Sequence, residues 1–177
     1  MYYSIVEEAK DIFADKLKDY GTSWKFYRHI SLTDQIFIKA SRIRKIEETD
    51  EAKINEPIEI ELKGIINYGV IAIMLLEHDK FPEDEILEYY QSIIDNVYNL
   101  MVLKNTDYDN AWTVMETKSF TDIILVRCAR LKKLLANKEP EKDKIKDQFI
   151  DIINYAVFYL IKLNFNDELK EIISIPQ

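Results

Sequence analysis

Apolar residues recur along this chain at intervals of three and four, the spacing of a single helix face. Ile5, Val6, Ala9, Ile12, Phe13 and Leu17 form the first such stripe, with Glu7, Glu8, Asp11 and Asp15 left for solvent, and predict a helix over 3–18. It should stop near Tyr20, with Gly21 able to adopt the left-handed conformation past its end. Ser31-Leu-Thr-Asp34 has the pattern of a capping box and predicts a second helix running to about Glu48. The polar stretch EETDEAKINEP reads as a loop, and Pro57 suits the first turn of a third helix ending near His78. Further helices are predicted from about Glu83 to Leu103, over Phe120–Asn137, and from the polar NKEPEKD to about Leu163. DELKEIISI in the tail would add a short one.

The text then repeats. GIINYGV (Gly64–Val70) and DIINYAV (Asp151–Val157) share five letters of seven, with Asn67 and Asn154 87 residues apart. KDYGTSW (Lys18–Trp24) is answered by TDYDNAW (Thr106–Trp112), and SLTDQIFIKASRIR (Ser31–Arg44) by SFTDIILVRCARLK (Ser119–Lys132), at a constant offset of 88 residues. Two copies of so long a unit are too few for a solenoid. The fold expected is all-α: two pseudo-symmetric three-helix repeats, 1–80 and 81–177, packed into one helical bundle and forming a single domain. The INY helices, the most continuously apolar, should be central. A buried amide pair, Asn67 with Asn154, would fit the pseudo-twofold axis.

Composition narrows the function classes. A net charge of −8 argues against direct nucleic-acid binding and against anionic membranes, since both demand a cationic surface. Two histidines nearly exclude a His-rich zinc site, and the lone Cys128 reads as a core residue of a reducing compartment. The opening MYYSIVEEAKDIFAD lacks a basic start and apolar run, and no uncharged stretch is long enough to span a bilayer. These features predict a cytoplasmic protein, as a monomeric pseudo-dimer or a homodimer.

Three constellations carry candidate chemistry. Asp143, Asp147 and Asp151 are spaced four apart on the last INY helix, with Asn154 three residues on. Like charges at that spacing destabilise a helix unless a cation lies between them, and Mg²⁺ held with substrate phosphates would serve; a solvated first turn is the alternative. Repeat one has Glu56, Ile60 and Gly64 in those places, so any metal site is asymmetric. Lys39 with Arg42, and Arg127 with Arg130, are cationic pairs within apolar text that need acids or phosphates as partners. K-x-x-D-Y-x-x-x-W occurs twice, as Lys16, Asp19, Tyr20 and Trp24 and as Lys104, Asp107, Tyr108 and Trp112. These residues either stack a base beside a phosphate-binding lysine or plug the core with their tryptophans. Ser31, Thr33 and Asp34, with Ser119, Thr121 and Asp122, read as helix caps. There is no Gly-rich phosphate loop, nucleophile elbow or paired CxxC motif.

KNTDY (Lys104–Tyr108), RCAR (Arg127–Arg130) and KDQFIDIINYAV (Lys146–Val157) together resemble the nucleotide-modification-associated domain, type one, a family of phage and bacterial proteins. The two-copy form looks like the duplicated bacterial members. The resemblance implies a role near nucleotide metabolism or base modification. One acid of the family pattern is replaced in both halves, by Ile38 and Val126. A weaker similarity links Asp151 to the all-α nucleoside triphosphate pyrophosphohydrolases, whose E-x-x-D pairs hold Mg²⁺; the E position is Gln148 here. Together these imply nucleotide binding through Lys39, Arg42, Lys104, Asp107, Tyr108, Arg127, Arg130 and Asn154, with Mg²⁺ on Asp143, Asp147 and Asp151. If catalytic, the reaction would be pyrophosphohydrolysis. The alternative is a non-catalytic interaction or regulatory module.

Overall fold

In the computed structural model, residues 1–49, 57–78, 81–108, 110–165 and 167–169 are described, with only the backbone of 106–108. Six long α-helices run through these residues: α1 Tyr2–Tyr20, α2 His29–Thr49, α3 Ile58–Glu77, α4 Ile86–Tyr108, α5 Thr117–Leu135 and α6 Lys142–Asn164. Short 3₁₀ turns, Ser23–Phe26 and Ala111–Val114, precede α2 and α5 and carry Trp24 and Trp112. No helix among the described residues is long and apolar enough to cross a membrane. The expected tail helix is present over 167–169, and its remainder lies outside the described residues.

The stripe on α1 is buried as its spacing demands, through Ile5, Val6, Ala9 and Phe13. Gly21 follows with φ 56°, its N–H donating to the Leu17 carbonyl. The capping-box reading of α2 and α5 is corrected. Both helices begin earlier: the Arg28 carbonyl already accepts from the N–H groups of Ser31 and Leu32, and Glu116 is the residue that precedes α5. Ser31 and Ser119 therefore sit inside the first turn. Thr33 Oγ1 donates to the His29 carbonyl at 2.8 Å, and Thr121 Oγ1 reaches across to Glu47 Oε1 at 2.7 Å. Asp34 and Asp122 pair between repeats, Asp34 with Lys132 and Asp122 with Arg44, both at 2.8 Å. Pro57 likewise precedes α3 with extended backbone instead of entering its first turn.

Helices α3 and α6 pack against each other and form the centre. Each also packs on its own repeat's middle helix, α2 or α5, and those two pack together. Helices α1 and α4 lie against both central helices. The interior of α3 and α6 is correspondingly apolar on most sides, from Leu62 to Met74 and from Ile145 to Ile161. Gly69 lets the two approach closely: a Cβ there would sit 2.7 Å from Ile153 Cγ1.

The two buried amides do not meet. Tyr90 of repeat two donates to Asn67 Oδ1, and Tyr2 of repeat one donates to Asn154 Oδ1, each at 2.8 Å. Tyr2 and Tyr90 are themselves 88 residues apart, so the duplicated Tyr–Asn bond is made crosswise between the copies. Asn67 Nδ2 donates to the Ala9 carbonyl at 2.9 Å. Burial raises the pKa of both tyrosines, which keeps the hydroxyls protonated as donors. Burial also pushes the Cys128 thiol up to about 12, so it acts as a core side chain.

Tyr90→Phe is expected to cost about 1–3 kcal/mol, because it strands a buried amide oxygen. Urea unfolding would measure this, and an unchanged midpoint would show that the bond adds nothing. His29 gives a second expectation. Desolvation, with Lys142 nearby, lowers its pKa against the opposing hydrogen bond to the Ala72 carbonyl. The unfolded chain therefore takes up this proton first as pH falls. Stability contributed by neutral His29 is complete above pH ~6.5 and is lost as pH drops from there through the lower folded value, by at most about 1.4 kcal/mol per unit. His29→Gln should flatten the slope of stability between about pH 7.5 and 5.5.

Candidate functional site

Each repeat gathers its cations around one acid where the middle helix faces the INY helix. In repeat one, Lys39 and Arg42 of α2 both reach Glu61 of α3, Lys39 at 2.9 Å. Glu61 is only 2% exposed, while the two cations are half-buried. In repeat two, Arg127 of α5 and Lys104 of α4 converge on Asp151 of α6, at 3.1 and 3.0 Å. Arg127 also donates to Gln148 Oε1 at 3.2 Å.

Alignment of the two INY helices explains the difference. Glu61 occupies the place of Gln148, and Gly64 that of Asp151. One copy thus reads E-x-x-G and the other Q-x-x-D, each with a single carboxylate, one turn apart. The cations follow their acid. Lys39 matches Arg127, and in each copy this residue contacts whichever carboxylate is present. Glu61 is the residue that sequence reasoning missed; the signal was the second of two acids in IEIELKGII, at the register of Gln148.

The other candidates are placed as follows. Asp143 and Asp147 are exposed on α6, and only Asp151 is drawn into the cationic cluster. No group of three or more His, Cys, Asp or Glu among the described residues is disposed around a point as metal ligands would be. Arg130 is exposed, unlike its counterpart Arg42. Asn154 is buried and takes the Tyr2 hydroxyl. The side chains of Asp107 and Tyr108 lie outside the described set. Trp24 packs between Phe13 and Phe81, and Trp112 stacks on Phe158 with ring centroids 4.3 Å apart, so both belong to the core. Their indole N–H groups are buried without an acceptor among the described residues, at equivalent places in the two repeats.

A pocket of about 150 Å³ opens in repeat one between the end of α1, the Trp24 turn and α3. Lys16, Tyr20, Trp24, Gly64, Asn67 and Tyr68 contribute to its walls. It therefore joins the K-x-x-D-Y-x-x-x-W text to the first INY phrase. The acid stripe had directed attention to repeat two instead.

Comparison with known proteins bears on both copies. A family model described as nucleotide modification associated domain 1 matches this chain twice, over residues 16–76 and 104–163. No curated protein and no solved structure matches it.

Glu61→Ala is expected to cost about 3 kcal/mol of stability, since it leaves Lys39 and Arg42 around a vacated buried place. Glu61→Gln should cost less, because an amide already serves at that register in repeat two. Denaturant midpoints would check the order, and equal losses would contradict it.

Proposed function

This chain belongs to the nucleotide modification associated domain 1 family, carrying the domain twice, and we propose that it binds a nucleotide through its cation-rich clusters. The observation supporting this is the convergence of cations on a single carboxylate of each INY helix. Glu61 takes Lys39 and Arg42; among the described residues Asp151 takes Lys104 and Arg127. These cations are gathered beside the INY helices of a chain whose net charge is −8. Phosphate oxygens are suited to such a cluster, since Arg presents a planar fork and Lys a mobile point charge.

Mg²⁺ is usually held by one or two carboxylates together with substrate phosphates. Asp151 and the exposed Asp147 one turn before it are the residues that would hold it, with Asp143 farther along α6. A bound Mg²⁺ would supply charge neutralisation and an activated water for attack on a phosphoanhydride. In that arrangement Lys104 and Arg127 shift from Asp151 to the phosphates. The second reading, a binding or regulatory module without catalysis, is favoured by the division of the acids: each copy keeps one of the two positions as a carboxylate.

Melting the full chain with and without Mg²⁺ across a panel of ribo- and deoxynucleoside triphosphates separates these readings. A bound nucleotide at a hundredfold its Kd should raise Tm by about 5–10 °C. Release of phosphate or pyrophosphate alongside that shift supports the hydrolase, and a shift without release supports the module. If no nucleotide moves Tm, the proposal fails. A Mg²⁺-dependent shift that survives Asp151→Asn removes Asp151 from the metal's ligands.

A further inference from the structure

The two repeats offer an internal comparison. In repeat two, the Asp151 carboxylate draws in Lys104 at 3.0 Å and Arg127 at 3.1 Å. Their counterparts in repeat one are Lys16 and Lys39, and the counterpart of Asp151 is Gly64. The cations have been kept and the shared anion is missing. Lys39 turns to Glu61 at 2.9 Å, yet its tip still lies over the glycine: a Cβ at 64 would be 2.8 Å from Lys39 Cε and 3.1 Å from Nζ. Lys16 is exposed and has no ion-pair partner among the described residues. The pocket has Lys16 and Gly64 in its wall, and Lys39 reaches it only through its approach to Gly64.

We infer that this pocket is a ligand site whose occupant presents an aromatic ring bearing an anionic group, the anion taking the place of the missing carboxylate between Lys16 and Lys39. The pocket's size and lining set the class of ring. A cavity of about 150 Å³ holds one benzene-sized ring. A sugar and phosphate must therefore lie outside, on the side where Lys16 and the 71%-exposed Tyr20 stand. Trp24, Tyr27 and Tyr68 supply aromatic surface, with the Tyr27 and Tyr68 rings edge to face at 6.2 Å. Asn67 is already engaged with Tyr90 and Ala9 and forms wall without reading a base edge. A pyrimidine ring fits within that volume. The identification of the ring as a base rests on the nucleotide reading above. The site itself rests on Gly64, Lys16 and the pocket.

The test uses the full chain with Trp112→Phe, which leaves Trp24 as the sole indole and preserves an aromatic ring against Phe158. Phenyl phosphate and the four common deoxynucleoside monophosphates serve as probes, read by Trp24 fluorescence and by calorimetric stoichiometry. Phenyl phosphate and the pyrimidine nucleotides should each bind at one equivalent and perturb Trp24. Lys16→Gln, an exposed substitution that leaves the fold intact, should weaken binding about tenfold or more. Gly64→Asp, which installs the acid of repeat two, should do the same. Binding of phenyl phosphate without any nucleotide keeps the site and overturns the nucleotide reading. Nucleotide binding that is untouched by Lys16→Gln and Gly64→Asp but lost in Lys104→Gln puts the ligand in repeat two and overturns this inference alone. A Trp24 signal that no probe moves overturns it as well.

Discussion

Two hydrogen bonds made crosswise, Tyr2 to Asn154 and Tyr90 to Asn67, couple the halves of this protein. Apolar contacts between α3 and α6 and between α2 and α5 also join the halves, but such contacts tolerate sliding. A buried amide oxygen does not tolerate losing its donor, so these bonds are directional where apolar contacts are not. Because each amide takes its donor from the other copy, neither repeat satisfies its central helix by itself. The register they impose on α3 and α6 determines where Gly64 and Asp151 fall against the cations of α2 and α5.

On that shared frame the two copies have diverged in charge. Repeat one keeps the deeper acid, Glu61, and replaces the outer one with Gly64; repeat two replaces the deeper one with Gln148 and keeps Asp151. The cations have followed, Lys39 to one turn of the helix and Arg127 to the other. A flexible cationic side chain on a neighbouring helix spans that one-turn difference of roughly 5 Å without a change of backbone. The fold therefore carries unequal sites on nearly equal scaffolds.

Much of this was legible in the letters. Helix spacing and the constant offset led to six helices, the duplication and the central INY pair, because burial of an apolar stripe is a local demand. The reading failed where two physical explanations share one spelling. Ser31 and Asp34 look like a cap, yet the helix begins at His29 and Asp34 serves Lys132 instead. Nothing in the spelling of an acid says which helix will hold its partner. The run of Asp143, Asp147 and Asp151 looked like one stripe, but residues four apart advance about 40° around the helix at each step. By the third residue the stripe has turned toward the core, so Asp151 alone is drawn inward. Glu61 was hidden because Glu59 stands two residues before it, and nothing in the spelling marks which acid faces inward until the second copy is aligned on it.

The substitution of Gly64 for Asp151's counterpart has a further consequence. In a dimer of identical chains any change to one site appears at once in its symmetry mate, so neither can be altered while the other is held constant. Fusion of the copies into one polypeptide removes that bond between the sites. Each can lose or gain a charge under its own selection while its partner continues to hold the shared core in register.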